Sequence, residues 1–291
     1  MQTHSVDSAY CSSDSWTILS SIEQTIKQKV EAIGTPLKDW DICINYGIKT
    51  GFNDAFIISS ETRDDILSKC LDDEERNRTA EIIRPILRGR DIKRYGYNWP
   101  GLWIINIHNG YGEQEKININ LYPAVKQHLD NYLDKLSARS DKGDTPYNLR
   151  NCAYVDEFSK PKIIYPNMTK FLPFVYDEKG YITNQKCFII TGKHIAFLTA
   201  FLNSSLFKFC FADRFPELQG KTRELSKIFI DEIPVPQISD SENEEYSKLV
   251  NDIQSSYSQE QAIVIDQMIF DMYGLTPDEQ AFIGFVDFGE K

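Results

Sequence analysis

Lys162-Ile163-Ile164-Tyr165 and Cys187-Phe188-Ile189-Ile190 are the two runs from which the fold is read. Both are short and rich in β-branched and aromatic residues, the composition of a strand. Phe174-Val175-Tyr176, Leu102-Trp103-Ile104-Ile105, Ile42-Cys43-Ile44 and Ala55-Phe56-Ile57-Ile58 read the same way. The sheet is therefore assembled from distant pieces of chain. Around it, Ile18, Leu19, Ile22, Ile26, Val30 and Ile33 recur at helical spacing up to Gly34, where a helix cap is expected. Residues 61–94 read as helical or mixed. Residues 194–211 form the most apolar helical window and are expected to be a core helix. Ile233-Pro234-Val235-Pro236 cannot continue a helix or a central strand. Residues 243–273 are expected to be helical as far as Gly274, with a short capped helix after Thr276-Pro277-Asp278-Glu279. The expected fold is α/β (mixed α+β), a small mixed sheet flanked by helices. Three regions are expected: a polar leader and linker helix (1–40), a main domain (41–237) and acidic C-terminal helices (238–291). No internal repeat and no low-complexity tract is found.

The chain has 291 residues and a net charge of -11, which is unfavourable for contact with a polyanion. The average conceals a pattern. Residues 1–80 carry -6, residues 81–227 carry +7 and residues 228–291 carry -12. A basic middle between acidic ends is compatible with an anion-binding face on the middle segment. No stretch approaches the roughly 18 apolar residues of a membrane span, and the start lacks a signal-peptide layout, so a cytoplasmic protein without membrane contact is expected. Cys11, Cys43, Cys70, Cys152, Cys187 and Cys210 form no C-x-x-C pair, which argues for reduced thiols over a disulfide framework or a zinc site.

The densest chemistry lies between Arg84 and Arg94. Arg84, Arg88, Arg90, Lys93 and Arg94 with one acid, Asp91, occupy eleven positions. An arginine fork fits a phosphate or the O6/N7 edge of guanine, a lysine acts as a point charge, and Gly89 would allow close backbone approach. A solvated turn with Ile82, Ile83, Ile86 and Leu87 in the core fits the same residues. Asp141 to Asn151 mixes Gly, Pro, Asn and Asp as a tight loop does. Within it Asn148 or Asn151 has the groups to pair with adenine and Arg150 those to pair with guanine or phosphate, and turn propensity alone accounts for the composition as well. Gln219-Gly220-Lys221-Thr222-Arg223 is a further basic loop that would meet a DNA backbone or water.

Hydrolase, zincin, P-loop and dinucleotide motifs are absent from the sequence. His4, His108, His128 and His194 are far apart, and His108 alone sits in a glycine-rich loop. Asp91-Ile92-Lys93, with Glu81 or Glu75 upstream, fits half of a metal-dependent nuclease site.

Taken in order, Asn45 to Ile58, Arg84 to Tyr95, Asp141 to Tyr154, Lys160 to Pro166, Phe188 to Gly192, Phe201 to Leu206 and Ile233 to Pro236 resemble one family, over about residues 35–237. It is the TaqI-like specificity region, which lies C-terminal to the adenine-methyltransferase domain of type IIG restriction-modification enzymes and related phage-defence methylases. The resemblance implies sequence-specific recognition of double-stranded DNA, with an adenine methyltransferase domain or subunit as partner. The elements it turns toward DNA are the Gly47–Asn53 loop with Lys49, Thr50 and Asn53, the Arg88–Arg94 stretch, and the Asp144–Arg150 loop with Tyr147, Asn148 and Arg150. Lys221 and Arg223 are added on their charge. The family's Asn-Pro-Pro-Tyr type motif and glycine-rich S-adenosylmethionine loop do not occur here, and Tyr165-Pro166-Asn167 has the wrong order. No catalytic residue carries over. S-adenosylmethionine and Mg2+ are expected only in separate catalytic parts. A nuclease built on Asp91 and Lys93 and a protein-docking domain stay open as alternatives.

Overall fold

In the strand Lys162–Pro166 alternate side chains enter different cores, which is why the run is apolar at nearly every position. Ile163 and Tyr165 face one apolar cluster and Ile164 the other. The computed structural model describes residues 19–285. The expected leader, His4, Cys11 and Ile18 lie outside the described residues. Lys162–Pro166 pairs antiparallel with Val175–Asp177 on one side and with Cys187–Gly192 on the other, and the latter pairs with Ile42–Tyr46. This four-stranded sheet is a wall between two cores. Buried Lys162 opens the strand opposite its register partner Asp177, with Nζ 2.5 Å from the carboxylate and 2.6 Å from the Phe158 carbonyl. Burial lowers the lysine pKa, and Asp177 opposes that shift.

The first core takes helices Ser21–Ile33, Ile195–Leu202, Ser205–Phe211, Asp240–Ser255 and Gln259–Met272 onto one face of the wall. The second takes the other face and a second sheet. There Ile182–Thr183 runs parallel to Ile83–Leu87, which pairs antiparallel with Leu102–Ile105, followed by Ile57–Ser59. Helices Ser60–Ser68, Asp73–Ile82, Pro123–Asp130 and Leu133–Ala138 complete this side. The turn Asn184–Lys186 carries the chain from the second sheet into the first. It lies where the two sheets meet.

Local chemistry explains the departures from the sequence reading. The apolar window at 194–211 is two helices: at the end of the first the Asn203 carboxamide bonds both the N–H and the carbonyl of Phe174 (3.1 and 2.8 Å) as well as the Thr199 carbonyl (3.0 Å), and Ser204 caps the next helix at Phe207 (3.0 Å). Likewise 243–273 is two helices, the second capped by Ser258 on Gln261. Ala55 and Phe56 belong to a helical turn, Asn53–Phe56, and the strand starts only at Ile57. Pro234–Val235 is tolerated as one strand of a two-stranded ribbon with Thr35–Pro36. The box of Thr276 and Glu279 forms as expected, on the helix Pro277–Ile283. Among the described residues no single helix is long and apolar enough to cross a membrane, and the bent pair that passes by composition, Ile195–Leu202 with Ser205–Arg214, contributes much of the first core.

Candidate nucleic-acid interface

The cationic stretch runs through the strand Ile83–Leu87, a 3-10 turn Gly89–Asp91 and the strand Ile92–Lys93. This path divides its charges. Arg84 donates to the Gly180 carbonyl (3.1 Å). Arg88 grips both oxygens of Asp91 (3.0 Å each), and the same carboxylate accepts the Arg88 N–H (2.9 Å). Arg94 reaches the other way, placing Nε and Nη2 on the Asn203 carbonyl (3.0 and 2.7 Å) and Nη1 on the Tyr257 hydroxyl (3.2 Å), with Asp266 at 4.0 Å. Arg90 and Lys93 make no such bond among the described residues, and both line a cleft.

That cleft, about 560 Å³, lies between the Arg88–Lys93 segment and the segment Asn167–Pro173, and Asn184, Lys186 and Thr222 close it. Every charged residue lining it is basic: Arg88, Arg90, Lys93, Lys170 and Lys186. Met168 and Phe171 add exposed apolar surface. Lys170 and Lys186 escaped the sequence reading because neither lies in a charged run. The pairing of Pro166 with Cys187 brings them together. Gly89 serves this packing: a Cβ there would stand 3.1 Å from the Pro166 ring.

A second cleft, about 460 Å³, is lined by Tyr46, Gly47, Ile48, Lys49, Arg150, Asn151, Cys152 and Tyr154. The turn Asn184–Lys186 links the two clefts. Ile48 donates to the Thr183 carbonyl (2.7 Å), Gln185 donates back to Ile48 (3.1 Å), and Asn167 donates to Lys186 (2.8 Å). A Cβ at Gly47 would stand 2.0 Å from the Asn184 carbonyl oxygen, so only glycine fits this approach. The Gly47–Asn53 loop and the Arg88–Lys93 segment thus reach the same turn.

Arg139, which sequence reasoning passed over, fixes the loops of the second cleft. It is 7% exposed, donates to the carbonyls of Thr50, Asp141 (3.3 Å), Pro146 (3.0 Å) and Asn148, and lies 4.6 Å over the Phe56 ring. Burial pulls its pKa down to about 10, which leaves it charged at neutral pH. Thr50 is buried and its hydroxyl donates to Asn53 (2.6 Å). Asn148, one of the two asparagines with the groups to pair with adenine, is 2% exposed. Its amide donates to the carbonyls of His108 (3.2 Å) and Ile117 (3.0 Å), and its oxygen accepts from Thr145 (2.6 Å). No edge of it is left for a base. Tyr147 donates to Asp130 (2.5 Å). Asn151 accepts from Asn109, and Arg150 pairs with Asp141 at 2.7 Å while staying half exposed. Arg223 is spent on Ala212, Phe215 and Asp213 (2.7, 3.0 and 3.0 Å). Lys49 and Lys221 are exposed.

Two carboxylates of the nuclease reading, Asp91 and Glu75, are engaged within the fold. Asp91 is held by Arg88, and the two oxygens of buried Glu75 accept the N–H groups of Leu71 (2.8 Å) and Ala124 (2.9 Å). Among the described residues no group of three or more His, Cys, Asp or Glu could hold a metal ion. Cys43, Cys70, Cys152, Cys187 and Cys210 are free thiols.

A family model for the TaqI-like C-terminal specificity domain matches residues 84–235. The chain belongs to this family. The match begins at Arg84 and contains every residue lining the basic cleft. Two solved structures share the fold of the specificity domain. The type IIG restriction endonuclease BpuSI superposes with a TM-score of 0.53 at 15% identity, over 88% of this chain and 34% of that one. The type IIL restriction-modification enzyme MmeI, solved in complex with DNA, gives 0.58 at 10% identity, over 86% and 36%. This chain spans about a third of the length of either protein. The recognition region resembled by the sequence is thus the fold observed.

Proposed function

We propose that this specificity domain reads duplex DNA in the basic cleft and so places a separate adenine-methyltransferase part, or an endonuclease part joined to it, on a target sequence. The observation that carries the reading is the cleft itself, lined by five cations and no acid in a chain of net charge -11. Four of the five, Arg90, Lys93, Lys170 and Lys186, have no carboxylate partner among the described residues. Cations of this kind neutralise phosphates and release counterions, which supplies most of the affinity for DNA, while an arginine fork such as that of Arg90 suits guanine. Lys49 and Arg150 extend the basic surface past the Asn184–Lys186 turn. The fold-relative MmeI was solved in complex with DNA, which supports DNA as the ligand. S-adenosylmethionine and Mg2+ belong, in this reading, to the catalytic part.

Selection from a pool of random duplexes tests the proposal. The wild-type chain is expected to enrich one short sequence over successive rounds. Retention of DNA without enrichment of any sequence would reduce the domain to a non-specific binder and overturn the reading.

A further inference from the structure

One wall of the basic cleft ends in an exposed aromatic ring held in place by a strained residue. Phe171 is 45% exposed at the tip of the connection between Met168–Thr169 and the strand Val175–Asp177, and Met168 beside it is 51% exposed. Both line the cleft, next to Lys170. Three features fix this tip. The Phe171 N–H is held by the Thr169 hydroxyl at 3.0 Å. Leu172 adopts φ +53, a left-handed conformation unfavourable for a residue with a side chain, while its own side chain is 5% exposed in the first core. Phe174 is locked through both backbone groups by Asn203. Burying Leu172 in that conformation turns the neighbouring ring outward. Non-glycine strain that the surrounding fold enforces collects at functional sites.

We propose that Phe171, backed by Met168, is an apolar wedge that enters between stacked bases of the bound duplex and bends it. The proposal rests on the reading that the basic cleft binds DNA. Charge complementarity commits the occupant: an exposed ring bordered by Lys170, Lys93 and Lys186 meets a polyanion whose interior is a stack of aromatic faces. Phe and Met are among the side chains that proteins insert at base steps, and the unstacking they cause is offset by the extra contacts of a bent duplex.

The test needs no knowledge of the target sequence. Affinity is measured for a random-sequence duplex and for the same duplex carrying a central abasic site, where unstacking is already done. Wild type is expected to favour the abasic duplex by about tenfold, Phe171→Leu to retain part of that preference, and Phe171→Ala to bind both equally with an unchanged salt dependence. The ring is exposed, so unfolding midpoints of the variants should match wild type. Preference retained in Phe171→Ala, or missing in a wild type that binds both duplexes, overturns the wedge alone. A wild type that binds neither duplex overturns the cleft reading and the wedge with it.

Discussion

Arg139 and Arg90 carry the same guanidinium in opposite settings. Arg139 is buried under the loops of the second cleft with both terminal nitrogens spent on backbone carbonyls, whereas Arg90 stands exposed over the first cleft with no bond among the described residues. The same division separates Arg84, Arg88, Arg94, Arg223 and Lys162, all committed within the fold, from Lys49, Lys93, Lys170, Lys186 and Lys221, which face outward. A cation that already satisfies carbonyls cannot leave them for a phosphate without exposing buried acceptors, at a cost of about 1–3 kcal/mol each. Charge density along the sequence therefore locates the region of the interface, and engagement decides which of its cations bind.

The largest effect should come from the inward set. Arg139→Ala leaves the carbonyls of Thr50 and Pro146 without their donor, takes one of two donors from that of Asn148, and is expected to lower stability by about 3 kcal/mol in denaturant unfolding. Arg139→Lys should recover only part, because an ammonium lacks the fork. A neutral outcome would place Arg139 among the dispensable surface charges.

Arg94→Ala should cost less, about 2 kcal/mol near neutral pH, and its cost should depend on pH. Burial raises the pKa of the Asp266 carboxyl above its ordinary 3.8, while bonds from Ser205 and the charge of Arg94 pull it down. An acid whose folded pKa exceeds its unfolded value penalises the fold at pH above the folded value, and the penalty fades as pH falls through that value toward the unfolded one. Removing Arg94 enlarges this penalty. The stability gap between wild type and Arg94→Ala should narrow in acid. A gap of constant size from neutral pH down through the acid range would remove Asp266 from the account.

Much of this fold was legible because its strands are covered on both faces, which makes Ile163–Tyr165 and Cys187–Ile190 continuous apolar runs. Caps were equally legible, since the Thr276 box is local chemistry. Asn203 was not. Its carboxamide, at the point where the apolar window divides, locks Phe174, a partner remote in sequence. The site divided in the same way. The Arg84–Arg94 density was visible, but Lys170 and Lys186 join it only through strand register, and Arg139 is an isolated basic residue that reads as surface. Asn148 had the composition of a reading loop and turned out to build that loop.

The smallest effect on stability should come from the outward set. Changing Arg90, Lys93, Lys170 and Lys186 together to Ala is expected to move the unfolding free energy by no more than about 0.5 kcal/mol per site. The decisive measurement is the slope of log affinity for duplex DNA against log salt concentration, in wild type and in this fourfold variant. The slope should flatten by about 0.9 for each phosphate that the variant no longer neutralises, roughly three to four in all. A fourfold variant that folds, binds duplex as tightly as wild type and keeps its slope would contradict the assignment of the cleft to DNA.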